Sequence, residues 1–289
     1  MKNKVLNITI LKKYRDHLVG EERSKATIDK YIRDINGFYE FLPEDKIITK
    51  EMVISYKQTL TEKYKTASVN SMLVAINGLL VFLGMDNCKV KLHKLQKRIF
   101  NDDSQNLTKE EYRRLLKAAQ LNNNEQLLIL MQTICATGIR VSEHKFITIE
   151  ALKNGKAIIC NKGKIREIIF PKKLKRALLD FCKKRGIKSG AVFVTKNGNP
   201  LDRSNIWTMM KNLCEKANVD KSKVFPHNLR HLFAFSYYKI EKDLVRLADI
   251  LGHSSIETTR IYTKTSIKKC QSVLDRMDLF SNEFHPMTA

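Results

Sequence analysis

Apolar positions at three- and four-residue steps dominate the first third of the chain. Ile28, Tyr31, Ile32, Ile35, Phe38, Tyr39 and Leu42 follow this rhythm after Ser24, a residue suited to capping a helix N-terminus, and Pro43 ends it. The same period continues over Lys50–Lys63 and over residues 68–83, the latter with Ser68 as its cap. A small helical bundle accounts for these residues. The pattern then dissolves into a basic run (Lys89, Lys91, Lys94, Lys97, Arg98) and a polar stretch from Asn101 to Asn106, which reads as a linker. Thr108-Lys109-Glu110-Glu111 restarts the helical pattern with a capping box. The expected organisation is a helical domain over residues 1–88, a basic and polar linker over 89–106 and a second domain over 107–289.

The one clear β signal lies in the second domain. Ala157-Ile158-Ile159-Cys160 and the run from Ile165 to Phe170 flank Asn161-Lys162-Gly163-Lys164, a hairpin with lysines at its tip. Helices are expected to resume after Pro171, Asp202, Pro226 and Asp243 and over residues 265–280. With only 11 Gly and 5 Pro in 289 residues, turn-rich all-β folds are disfavoured. The fold class is mainly α with a small antiparallel β-sheet. No 20–50-residue repeat interrupts it.

Charge narrows the partners. The chain holds 53 Lys+Arg against 30 Asp+Glu, a formal net charge of +23, while 43% hydrophobic content suffices for buried cores. A polyanion, nucleic acid first, is the implied partner. The excess is uneven: residues 1–106 carry 19 basic and 13 acidic side chains, residues 107–289 carry 34 and 17, and residues 151–200 alone carry 14 and 2. No apolar run reaches ~18 residues, and Met1-Lys2-Asn3-Lys4 leads into no signal-like segment, so a cytoplasmic protein without a membrane span is expected. Six cysteines without a CxxC pair (Cys88, Cys135, Cys160, Cys182, Cys214, Cys270) read as reduced, small core residues, neither a disulfide frame nor a zinc site nor a nucleophile.

Three segments pair basic groups with acids or nucleophiles: Ala136-Thr137-Gly138-Ile139-Arg140-Val141-Ser142-Glu143, then His227-Asn228-Leu229-Arg230-His231, then Leu251-Gly252-His253 with Tyr262 nine residues beyond. Singly each is weak. His227 and Arg230, three residues apart on a helix, could grip one anion, yet any surface helix in so basic a protein can show such a pair. His227 and His231 at i, i+4 lack the Glu of HExxH and a third ligand, so no metal is expected. His17, His93, His144 and His285 are read as surface or packing residues. No GxxxxGK[ST] segment exists, and no cofactor is expected.

Together and in this order the segments resemble the tyrosine recombinase (phage integrase) family. Ala136–Glu143 is similar to the family's first arginine motif with Arg140 as its functional residue, His227-Asn228-Leu229-Arg230-His231 to its H-x-L-R-H box, and Leu251-Gly252-His253 to its L-G-H box. Tyr262 falls at the distance of the family's nucleophile, and Lys162 matches the lysine carried on a β-turn between the arginine motifs. Ser24, Thr27, Tyr31, Phe38 and Phe41 resemble the helical core-binding domain. His144 departs from the family, which has an aliphatic residue after the Glu. The resemblance is to Xer-like or small mobile-element recombinases, with no arm-site DNA-binding module ahead of the core-binding half.

The resemblance implies cleavage of double-stranded DNA through a 3′-phosphotyrosine and strand exchange in a homo-tetramer. The outcome would be integration or excision of a mobile element or Xer-like dimer resolution, with an accessory directionality factor as a further partner. Residues 265–280 would form an exchange helix docking in a neighbouring protomer. The residue chemistry agrees: Arg140 and Arg230 suit charge developing on non-bridging phosphate oxygens, and Tyr262 needs a base, for which His227 is the candidate. His253 is expected to hydrogen-bond the phosphate, His231 to support Glu143 or the fold, and Lys162 to protonate the leaving 5′-oxygen. Type IB topoisomerase-like relaxation and a non-catalytic DNA-binding protein are the alternatives.

Overall fold

The computed structural model describes residues 4–94, 105–161, 164–263, 271–272 and 275–277. The chain divides into two compact units, Met1–Lys97 and Arg98–Ala289, each with its own buried core. The described residues build helices and two small two-stranded antiparallel sheets.

In the first unit, strands β1 (Lys4–Val5) and β2 (Ile47–Ile48) pair beside helices α1 (Ile8–Gly20), α2 (Lys25–Phe41), α3 (Lys50–Lys63) and α4 (Thr66–Phe82). Helix α2 starts where Ser24 foretells it, with the Ser24 hydroxyl accepting from the Thr27 N–H at 3.3 Å, and ends at Phe41, ahead of Pro43. Its rhythm buries Ile28, Ile35 and Phe38 against α4, whose Leu73, Ile76, Leu79 and Leu80 are fully buried. Helix α4 starts two residues before the expected Ser68. The extended backbone of Lys65 opens it without a side-chain cap, so Ser68 lies inside the first turn, its N–H bonded to the Lys65 carbonyl at 2.8 Å. Helix α1 went unread because it buries only Tyr14 and Leu18, too thin a stripe to stand out.

The second unit runs α5 (Lys109–Leu121), α6 (Glu125–Thr137), a 3₁₀ turn (Val141–Phe146), α7 (Ile149–Asn154), β3 (Lys156–Asn161), β4 (Lys164–Ile169), α8 (Lys172–Lys184), α9 (Arg203–Lys211), α10 (Cys214–Ala217), α11 (Pro226–Glu241), α12 (Leu244–Leu251), α13 (Ile256–Thr259) and a 3₁₀ turn (Arg260–Tyr262). The capping box forms as expected, with Glu111 N–H donating to Thr108 Oγ1 at 3.1 Å and Thr108 N–H to Glu111 Oε2 at 2.8 Å. Asp202 and Asp243 cap α9 and α12. Helix α6 is apolar enough to sit at the centre, with Leu127, Leu130, Met131 and Ile134 buried, and α11 packs along it.

The hairpin forms in the register that brings Asn161 opposite Lys164. Ala157, Ile159 and Ile168 face the core while Ile158, Ile165 and Ile169 face outward. Lys162 and Gly163 lie outside the described residues. Cys160 departs from the expectation of a core cysteine. Strand alternation places it on the outward face with Ile158, and it is exposed, whereas Cys88, Cys182 and Cys214 are buried as read. The expectation for residues 265–280 as a docking helix falls almost wholly outside the described residues.

Candidate active site

Packing of α11 on α6 brings Arg230 to the end of α6, where Gly138 turns the chain with φ +66°. A side chain at Gly138 would strike Phe233 at 2.4 Å, so only glycine permits this approach. Arg230 is 1% exposed. Its Nη1 donates to the Gly138 carbonyl and its Nη2 to the Leu251 carbonyl at 2.6 Å and to His253 Nε2 at 3.1 Å. Two residues past Gly138, Arg140 opens the 3₁₀ turn. It donates from its backbone N–H to Glu143 Oε2 at 2.7 Å, from Nη1 to Glu143 Oε1 at 3.1 Å and from Nη2 to the Gly252 carbonyl at 3.2 Å. Arg166, projecting inward from β4, pairs with the same buried carboxylate through Nη2 and donates from Nη1 to the Ile250 carbonyl at 2.8 Å.

Two guanidiniums, Arg140 and Arg166, therefore share one carboxylate, and Arg230 lies beside them. Arg166, Arg230 and Arg140 each take one of three consecutive carbonyls, Ile250, Leu251 and Gly252 in that order, at the negative end of the α12 dipole. Burial and the neighbouring Arg140 and Arg166 pull Arg230 down to about 9, which leaves it charged at neutral pH. Its buried Nε has no hydrogen-bond partner among the described residues. Such surplus buried positive charge is costly unless an anion joins it. Arg140 and Arg230 line a cavity of about 290 Å³ together with Arg203, Trp207 and His227, large enough for a phosphate group.

The histidines are held neutral. Because an arginine only donates, His253 Nε2 is the acceptor from Arg230, so the proton sits on Nδ1 and is donated to the buried Thr259 Oγ1 at 2.8 Å. Burial, then Arg230, Arg140 and Arg166, lower His253 to about 4; burial, then His227 and Arg230, do the same to His231. His227 is open to solvent on one side, yet the surrounding protein and then Arg230, Arg140 and Arg203 lower its pKa also. Tyr262 is 3% exposed, packed edge-on against His231 at 5.2 Å and Phe235 at 5.4 Å between ring centroids. Burial raises its hydroxyl pKa, and the opposing pull of Arg230 and Arg140 favours the phenolate.

Residues 105–269, more than half of the chain, match the phage integrase family, and residues 11–85 match the phage integrase N-terminal SAM-like domain. The chain belongs to the phage integrase family. It is 28% identical to tyrosine recombinase XerA of Pyrococcus furiosus over 98% of both chains. Two solved structures share the fold: XerH site-specific recombinase bound to difH substrate in a pre-cleavage complex (TM-score 0.68, 19% identity, 95% of this chain and 86% of that one) and a lambda integrase tetramer bound to a Holliday junction (TM-score 0.70, 18% identity, 88% and 76%).

In this phage integrase chain, five of the six expected site residues fall within one neighbourhood: Arg140, His227, Arg230, His253 and Tyr262. Lys162 lies outside the described residues. His231 does not support Glu143, whose partners are arginines; it stands between His227 at 4.6 Å and Tyr262, in ring contact with both. His144 packs on Phe193 at 6.2 Å and is buried. Sequence reasoning missed Arg166, Arg203 and Trp207. Arg166 carried a legible hint, since an arginine at an inward position of a hairpin needs a buried acid, but nothing local named Glu143, 23 residues away.

Proposed function

We propose that this chain is a site-specific DNA recombinase that cuts double-stranded DNA through a 3′-phosphotyrosine and rejoins it to a partner strand. The observation that carries the reading is the cluster of Arg140 and Arg166 on the single carboxylate of Glu143 with Arg230 beside them, Arg140 and Arg230 lining a cavity that admits a phosphate. XerA, XerH and lambda integrase support it, the last two solved on DNA and one of them as a tetramer on a Holliday junction. Relaxation without a partner site and non-catalytic DNA binding are not favoured, because the relatives are recombinases.

In this reading Tyr262 Oη attacks the scissile phosphorus, an Oη–P bond forms while the P–O3′ bond is kept, and the P–O5′ bond breaks. Arg140 and Arg230 meet the charge that develops on the non-bridging oxygens, where bidentate donors act most strongly in a dehydrated site. His227 takes the tyrosine proton, with His231 in the path between the two rings. Lys162 delivers a proton to the leaving 5′-oxygen. Once Arg230 turns its Nη2 to an incoming oxygen, the freed His253 Nε2 takes a proton from solvent and donates it to the phosphate, whose negative charge offsets the arginines that otherwise keep the ring neutral. The return step uses the same groups in reverse.

Residues 1–88 serve as the core-binding domain, 89–106 as the linker and 107–289 as the catalytic domain. A homo-tetramer on synapsed DNA, coupled by residues 265–280, performs the exchange in the cytoplasm, with an accessory factor to set direction. The test is a duplex nicked near the cleavage point, built on the sequence the protein selects from fragmented genomic DNA. The unaltered chain should become covalently attached. Tyr262→Phe should bind within a few-fold and form no adduct; adduct in that variant would move the nucleophile elsewhere.

A further inference from the structure

We propose that Arg166 is a positioning residue that sets the geometry of Arg140 and of the His253 turn by holding Glu143 and the Ile250 carbonyl at once. Its side chain is 11% exposed and Glu143 is 1% exposed, so the pair is a buried one whose geometry is fixed. Glu143 has two oxygens and three donors on them. Arg166 Nη2 and the Arg140 backbone N–H share Oε2, leaving Oε1 to orient the Arg140 guanidinium. The other arm of the Arg166 fork holds Ile250 O at 2.8 Å, one residue before the carbonyl bonded by Arg230 and two before the one bonded by Arg140.

Only a planar fork reaches acceptors on two different elements together; a lysine ammonium at that position has the charge without that span. Gly252 fits this arrangement. A Cβ there would lie 2.6 Å from Arg166 Cδ, so the missing side chain lets the arginine stem lie against the turn that carries His253. Arg166 itself is absent from the residues lining the cavity, which makes its action indirect. The inference rests on the recombinase reading for the reaction it serves, though not for the anion it organises.

The experiment compares the full chain with Arg166→Lys and with Arg166→Gln, thermal unfolding reporting that each is folded. On the nicked duplex described above, binding should stay within about 3-fold while the rate of adduct formation falls roughly 10–100-fold. A methylphosphonate at the scissile position replaces one charged non-bridging oxygen with a methyl group. On it the deficit should shrink to a few-fold, because the misplaced Arg140 guanidinium has less charge to meet. Full activity of Arg166→Lys would show that charge alone matters, and equal deficits on both substrates would show that the role lies away from the non-bridging oxygens; either overturns the proposal.

A second readout needs no cleavage. Trp207 is the chain's single tryptophan and lines the cavity with Arg140 and Arg230, so its fluorescence reports inorganic phosphate entering there. Arg166→Lys should shift the phosphate midpoint several-fold upward. An unshifted midpoint overturns the positioning role, whereas a shifted midpoint in a chain that forms no adduct on any DNA sinks the recombinase reading and leaves this inference standing.

Discussion

Proton delivery and charge stabilisation are separable duties at one phosphate, and individual side chains divide them. Arg140 and Arg230 carry fixed positive charge that cannot be given up at neutral pH, so neither can act as the acid for the leaving 5′-oxygen. That duty falls to Lys162 in the proposed mechanism. Lys162→Ala should therefore bind DNA nearly normally and cleave slowly, by about 10²–10⁴-fold as is usual for loss of a general acid. Replacing the bridging 5′-oxygen with sulfur gives a leaving group that departs as an anion, and cleavage by this variant should largely recover. Arg140→Ala should not recover to the same degree. Equal rescue of both variants, or of neither, would transfer the acid to another group, Lys164 first. The motif residues were legible because each box keeps its functional groups within a few positions. The Glu143–Arg166 pair was not, because tertiary packing alone joins a 3₁₀ turn to a strand.

Short elements and their ends hold these side chains in place, and here the turn after α12 matters most. Gly252 sits at φ +61° with Arg166 against it, so Gly252→Ala meets both a left-handed backbone and a close contact. It should lower stability by about 1–3 kcal/mol, seen as a reduced Tm, and slow cleavage more than DNA binding. An unchanged Tm would mean that the turn relaxes freely. Elements were legible where a stripe was broad, as in α2, and where the residue before a helix announced its start, as with Pro171, Asp202 and Asp243. Two-residue strands and the thin stripe of α1 gave no periodic signal, and α4 began at a residue without a cap. His231 on helix α11 and His253 after α12 also carry a pH dependence. His231 and His253 are lowered from 6.5 to about 4 in the folded chain, so between these values the unfolded chain binds more protons. Folding stability should rise with pH across that window and level off above 6.5, measured by thermal unfolding from pH 4 to 7.5. Replacing His231 with Asn should flatten the slope; a slope unchanged by that substitution assigns it to other groups.

Across the whole molecule, the surplus of positive charge is the property most legible without a structure, and its distribution makes a claim about binding. Residues 151–200 hold 14 basic and 2 acidic side chains. Exposed lysines on α8 and around the hairpin are neutralised inside the protein only sparsely, as by Lys156–Glu167 and Lys184–Glu125, both at the surface where pairing contributes little. Such charge attracts a phosphate backbone without reading bases. Each DNA phosphate neutralised releases counterions, so log K should fall with log salt at about 0.9 per contact. Replacing Lys172, Lys173 and Lys175 with Gln should lower affinity for every duplex by a similar factor and reduce that slope, while leaving the ratio between the selected site and random DNA almost unchanged. Substitutions on α9, where Arg203 and Trp207 border the cavity, should instead alter that ratio. A fluorescence-anisotropy titration at three salt concentrations, run on both duplexes, separates the two effects. A flat salt dependence would remove the electrostatic contact altogether, and a changed ratio in the lysine variant would mean that α8 reads sequence.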